Sequence, residues 1–205
     1  ETSSIIEERV FLEYNDKTEI AYIKGVEENY TKISKIDAAL TTGTWLQKDY
    51  SNTAVVGRGI SNKLSLGILN YGAPLKIMVP KPGTGFINPR NPFYKIETQI
   101  VGIYEGTEEF ESKFVFTSIG QARSLLHFKE NQVTALALKL IDSQDADAVA
   151  DLLRMRLGKM FKVQTKAQLN AVFYKVINTE NFVSYLIFTL IVIIALFNVI
   201  GAIIM

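Results

Sequence analysis

VTALALKLIDSQDADAVADLLRMRLGKMFKVQ, residues 133–164, is the stretch on which the fold turns. Its apolar opening, Val133 to Ile141, has the length and character of a strand. A helix is expected from about Gln144 to Leu157. Acids stand at its start (Asp142, Asp145, Asp147), bases at its end (Arg154, Arg156), and Gly158 follows as terminator. That order suits the helix dipole and a glycine C-cap. Met160 to Gln164 then returns as a strand. Strand, helix and strand in succession make a βαβ unit, and the chain falls in the α+β class with a mixed sheet.

Upstream, Ile5 to Tyr14 and Thr18 to Val26 are rich in β-branched and aromatic residues and are separated by Asn15-Asp16, so they read as a hairpin. A short helix is expected from about Glu28 to Ile36, then a polar connector, Thr41 to Ser51, that holds the single tryptophan, Trp45, as a packing anchor. Thr53 to Val56 is a short strand ending at Gly57, and Ile60, Leu64 and Leu66 fit a short helix closed by Gly67. Leu75 to Val79 is another strand. Four of the five prolines then fall between Pro80 and Pro92, and from Tyr94 to Ile100 apolar and polar residues alternate strictly, so a proline-rich loop joins two strands. Phe114 to Phe116 feeds a helix on which Ser118 and Gln121 form a capping box.

Composition narrows the chemistry. At 48% hydrophobic residues a packed core is expected, and 22 Lys and Arg against 21 Asp and Glu leave no global field to attract nucleic acid. There is no cysteine, which removes disulfides, thiolate catalysis and Cys-based zinc. His127 is the one histidine and is read as a surface or helix-end residue. Gly57-Arg58-Gly59 lies where a phosphate loop would sit, but Lys63 follows Asn62 and precedes Leu64. Neither a Walker A loop nor a dinucleotide fingerprint is spelled, and a structural turn is expected. Glu105, Glu108, Glu109 and Glu111 read as a solvated acidic loop, and Asn29-Tyr30-Thr31 is a formal glycosylation sequon. No nucleophile elbow or carboxylate pair stands out, so no enzyme and no cofactor are expected.

Charge stops at Glu180. Phe182 to Met205 is 24 uncharged residues, and at ~1.5 Å per residue a helix of that length covers roughly 36 Å, enough for a hydrocarbon core of about 30 Å. A helix apolar on every face needs cover on all sides, so a membrane helix is expected rather than a buried soluble one. Before it, Leu169, Val172, Phe173, Val176 and Ile177 form an apolar stripe with no Pro or Gly between stripe and span. The expected parts are therefore 1–164, a core domain; 165–181, an amphipathic connecting helix; and 182–205, a transmembrane helix. The chain reads as a fragment of a longer membrane protein.

Several segments together resemble one family. They are Gly43 to Asp49 (GTWLQKD), Ala54 to Leu64 (AVVGRGISNKL), Val101-Gly102-Ile103-Tyr104, Val115 to Leu126 (VFTSIGQARSLL), the strand Thr134 to Ile141, and Ala171 to Ile200 with AVFYKVINTENF and IALFNVI. In order and spacing they resemble the LolC/LolE-type permease subunits of lipoprotein-releasing ABC transporters, relatives of MacB and FtsX. Two places depart from the family pattern, Tyr71-Gly72-Ala73-Pro74 and Glu180-Asn181.

The resemblance implies a MacB-like periplasmic core domain on the outer face of a bacterial inner membrane, with ATP hydrolysed by a separate ATP-binding subunit. It implies as partners a second permease subunit, identical or not, a periplasmic carrier protein, a lipoprotein substrate and membrane lipid, with no nucleic acid. It also implies a carrier-capturing hook at the proline-rich loop, carried by Lys81, Phe86, Ile87, Pro89, Arg90 and Pro92; a plain surface connection is the other reading of that loop. A permease serving efflux or a cell-wall hydrolase, and a single-span binding receptor, remain the alternatives.

Overall fold

The computed structural model describes residues 1–47, 52–68, 73–81, 92–141, 145–169 and 184–196. Two compact units make up the chain, Glu1–Lys139 and Leu140–Met205.

The first unit opens with the expected hairpin, β1 (Thr2–Tyr14) and β2 (Lys17–Val26). Tyr14 faces Lys17 across a two-residue turn, and Asn15 takes φ of 51°, a left-handed value that Asn tolerates better than most residues. Helix α1 (Tyr30–Ser34) and a 3-10 turn (Ile36–Ala39) lead into β3 (Leu40–Gly43). Then come β4 (Thr53–Gly57), α2 (Arg58–Leu64), β5 (Leu75–Pro80), β6 (Phe93–Tyr104), α3 (Glu108–Lys113), β7 (Phe114–Ser118), α4 (Ile119–Leu126) and β8 (Ala135–Leu138).

The sheet is mixed. β1 pairs with β2, β2 with β7, β7 with β4, β4 with β6, β6 with β5 and β5 with β1, so the pairings return to their start in a closed circuit. β2–β7 and β4–β6 are parallel and the others antiparallel. β8 adds to β1, and β3 to β6.

Strand alternation sends side chains into two cores. Ile6, Val10, Leu12, Ile23, Ala54, Val56, Ile77 and Val115 join Ile60 and Leu64 of α2 and Ala122 and Leu125 of α4 in the larger one. Val55, Phe114, Phe116, Tyr104, Tyr30 and part of Trp45 form the smaller, aromatic one. Every residue of β4 is buried, as befits a strand packed on both faces.

In this aromatic cluster the Tyr104 hydroxyl lies 3.1 Å from the Phe110 carbonyl and 3.0 Å from that of Phe114, and donates to them. Burial first, then the negative charge of Glu111, pushes the phenol well above its ordinary value of 10.0. The neutral form is thus favoured in the folded protein. The resulting stabilisation is whole below pH ~10, and is lost at up to about 1.4 kcal/mol per pH unit once an unfolded tyrosine ionises. Tyr104→Phe is expected to cost about 1–3 kcal/mol at neutral pH, because two carbonyls lose their donor, and to flatten the alkaline limb of stability. Urea titrations of both proteins from pH 8 to pH 11 measure the difference; parallel curves would refute it.

Several expectations change. Thr41 to Ser51 is not a connector throughout, since β3 forms there and pairs with β6. Ser65 at φ 57°, not Gly67, closes α2, its N–H reaching the Asn62 and Ser61 carbonyls. The acidic loop is in fact α3, with Glu108, Glu109 and Glu111 in a first turn where the helix dipole favours negative charge. The capping box at α4 is half made. Ser118 accepts the Gln121 N–H at 3.3 Å, but the Gln121 side-chain amide is buried and unpartnered among the described residues.

The βαβ unit is corrected too. The first strand shortens to Ala135–Leu138 because only Thr2 to Ile5 are opposite it, and the Thr134 amide and hydroxyl both go to the Ile5 carbonyl. In the second unit α5 (Ala146–Leu157) starts at Asp145, whose carboxylate accepts the Asp147 N–H at 3.0 Å, and ends at Gly158 with φ 69°. Met160 to Gln164 is no strand. A 3-10 turn (Gly158–Met160) takes in its first residue, Met160 and Phe161 point into solvent, and the Val163 carbonyl is taken by the Arg154 guanidinium instead of a ladder partner.

Residues 166–169 and 184–196 are helical. Among the described residues no helix is long and apolar enough to cross a membrane. Of the expected span Phe182–Met205, 184–196 is described; the rest, and the stripe beyond Leu169, lie outside the described residues.

Candidate functional site at the proline-rich hairpin

β5 and β6 run antiparallel from Leu75 opposite Thr98 to Pro80 opposite Phe93. Pro80 brings no N–H to the ladder and stands as the last residue of its strand. One more rung follows: the Lys81 N–H donates to the Pro92 carbonyl at 3.0 Å. Lys81 and Pro92, the outer members of the expected hook, are therefore brought together as the closing pair of a hairpin stem. Phe86, Ile87, Pro89 and Arg90 lie outside the described residues.

The stem is fastened from three directions. The Lys81 ammonium sits 5.3 Å above the Tyr94 ring, a cation–π distance, and His127 stacks on that ring at 4.0 Å. His127 ends α4 at φ 56°, the expected helix-end position. Phe93 meets Phe11 of β1 edge-on at 5.8 Å. Farther down the same strands, Lys76 and Glu13 pair at 2.6 Å. The hydrogen bond to Glu13, then the charge of that carboxylate, raises the Lys76 ammonium above its ordinary value.

These contacts make a pedestal. A lysine on an aromatic face and two edge-packed phenylalanines hold a stem in place, and among the described residues no cluster of acidic or histidine side chains is spaced to hold a metal ion. Phe11, Phe93, Tyr94 and His127 were not among the expected site residues. The alternation at 94–100 announces Tyr94 as a strand residue, but Phe11 and His127 reach the stem only through long-range pairing.

The glycine stretch lies elsewhere. Gly57 ends β4 and Gly59 lies in α2, and both are pressed against α3: a Cβ on Gly57 would run into the Glu111 backbone, and one on Gly59 into Ser112. Arg58 between them donates to Glu105 and to the Thr41 hydroxyl, each at 2.8 Å. The space beside the glycines, where a phosphate loop would hold its ligand, is filled by Glu111 and Ser112 of α3.

The chain is similar to several known proteins. The chain is 23% identical over 196 residues to the lipoprotein-releasing system transmembrane protein LolE of Haemophilus influenzae; the match covers 95% of this chain and 46% of that relative, so the chain spans about half its length. Among solved structures, the periplasmic region of MacB from Actinobacillus actinomycetemcomitans superposes with a TM-score of 0.52 at 10% identity, over 84% of this chain and 75% of the other. The extracellular domain of the noncanonic ABC-type transporter YknZ from Gram-positive bacteria gives 0.48 at 10% identity, over 77% and 76%. Residues 2–156 match the family model of the MacB-like periplasmic core domain, about three quarters of the chain, and the protein belongs to that family.

Proposed function

We propose that the chain is the extracytoplasmic part of a permease subunit of the lipoprotein-releasing type, coupling cytoplasmic ATP hydrolysis to lipoprotein transfer across the periplasm. The observation that carries it is the likeness to LolE along nearly the whole chain, together with a stem closed at Lys81 and Pro92 that presents the proline-rich loop. In this reading ATP is hydrolysed by a separate subunit, a second permease subunit completes the transporter, and a periplasmic carrier docks on the loop. The main domain stands in the periplasm of a bacterium, above the inner membrane. Phe182–Met205 enters the lipid. In support, the apolar side chains from Tyr185 to Leu196 are 41–73% exposed, without the protein cover that a soluble core would supply.

Phe86, Ile87 and Arg90 are the anchors, with Lys81, Pro89 and Pro92 shaping the loop. Aromatic and arginine side chains carry much of the energy at such contacts, and proline lowers the ordering cost of docking. Phe86→Ala with Arg90→Ala is expected to weaken the complex with the carrier by about 2 kcal/mol or more, a Kd some 30-fold higher. Calorimetry of the carrier against wild type and variant measures this, and equal affinities would move the contact elsewhere. The MacB-like fold favours one competing reading, a permease serving efflux or a cell-wall hydrolase. Copurification from membranes separates the two: a lipoprotein carrier supports the first, an efflux or hydrolase partner the second.

A further inference from the structure

We infer that Arg154 is a positioning residue, a clamp that joins α5 to the helix beginning beyond Thr165 so that the two move as one body. The inference rests on the permease reading above and names a joint within the second unit that displacement from the membrane side has to cross. Arg154 Nε and Nη2 donate to the Val163 carbonyl at 3.1 and 2.8 Å, Nη2 also to Gln168 Oε1 at 2.7 Å, and Nη1 to Asp151 Oδ1 at 2.6 Å. One planar guanidinium thus grips α5, the turn after it and the first turn of the next helix.

The gripped helix start is itself locked. Gln168 Oε1 accepts the Thr165 N–H at 3.3 Å while Thr165 Oγ1 accepts the Gln168 N–H at 3.3 Å, a reciprocal capping box. The same amide oxygen closes the box and holds the guanidinium, so cap and clamp stand or fall together. Met155, Met160 and Phe161 at this turn are 77%, 92% and 60% exposed, while Ala150 and Thr165 are buried. The polar fork is the part of the joint that one substitution removes. Lysine cannot reproduce it, having a point charge in place of five donors held in a plane.

These 205 residues hold no cysteine, so Ala148→Cys and Lys166→Cys, both at exposed positions, are the labelled sites within them once any cysteines elsewhere in the assembly are replaced. The full permease, reconstituted in lipid with its ATP-hydrolysing subunit, is measured by pulsed EPR with and without ATP and vanadate. Wild type is expected to show one narrow distance that nucleotide does not change. Arg154→Ala and Arg154→Lys are expected to give broad, nucleotide-dependent distances, because the helix then moves without α5. Gln168→Ala, which removes one acceptor and leaves the Asp151 contact, serves where the arginine variants fail to assemble. Lipoprotein released per ATP is expected to fall about fivefold or more, the lower end of ordinary coupling energies. Narrow distances in all variants, a broad wild type, or unchanged release beside broadened distances would each overturn the clamp. A wild type that releases no lipoprotein defeats the functional reading alone, and the distances still decide the clamp.

Discussion

Phe116→Ala is expected to lower the free energy of unfolding by about 3–5 kcal/mol. Phe116 is fully buried, and its ring lies within 5.3 Å of the Trp45 and Tyr104 centroids and within 6.5 Å of Tyr30, Phe110 and Phe114. Five rings surround one, so truncation opens a void whose walls belong to β6, β7, α1, α3 and the segment after β3. A wall made from so many elements cannot collapse by moving a single side chain, and costs rise with the volume left behind. Trp45, the single tryptophan, makes the measurement direct, since its fluorescence reports the cluster during urea unfolding. Phe116→Leu, which keeps part of the volume, should lose less than half as much. A loss below about 1 kcal/mol for the alanine variant would mean that the site refills and the ring is not the keystone proposed here.

The local elements were legible where their signals are local. Asn15-Asp16 marks the hairpin turn, alternation from Tyr94 to Ile100 marks one wet face of β6, and Asp145 with Gly158 brackets α5 within two residues. What failed depended on partners. Met160 to Gln164 has the composition of a strand, yet a strand exists only beside another, and Arg154 claims the carbonyl that a ladder would have used. Thr41 to Gly43 reads as the start of a polar connector, but with Leu40 it becomes β3 because the β6 edge at Gly102 to Tyr104 is there to receive it. Ser65 ends α2 at a left-handed φ with the expected glycine two residues beyond, since the tight return of the Leu66 N–H to the Ser61 carbonyl decides where the chain turns.

At the candidate site, sequence alone locates the loop between two strands and its two outer residues. The pedestal was hidden. Phe11 reaches Phe93 because β1 lies beside β5, and His127 reaches Tyr94 because α4 packs on the larger core; both contacts follow from closing the circuit of strands, which no short window contains. Thr165 and Gln168 are the opposite case. Their spacing spells a capping box that a reading centred on the apolar stripe passes over.

Gly57→Ala is expected to destabilise the protein by about 3 kcal/mol, although nothing in its backbone forbids a side chain. With φ −74° and ψ 153° Gly57 sits in the extended region that alanine adopts freely, so conformational strain does not enter. The obstacle is space. An added methyl would meet the Glu111 carbonyl oxygen and stand 2.6 Å from the Glu111 Cα, and these are backbone atoms that no rotamer change can withdraw. Relief requires α3 to back away from β4. That in turn loosens Phe110 and Phe114, the two residues whose carbonyls hold the Tyr104 hydroxyl, so damage at the glycine spreads into the aromatic cluster. Gly120→Ala in α4 is the control: no atom lies within 4 Å of its would-be Cβ, and the variant should gain up to about 1 kcal/mol from helix propensity. Opposite signs for the two substitutions in parallel urea titrations would assign Gly57 to the close approach of α3. Equal, small effects would instead mean that α3 yields to the added methyl and that the close approach is not what requires the glycine.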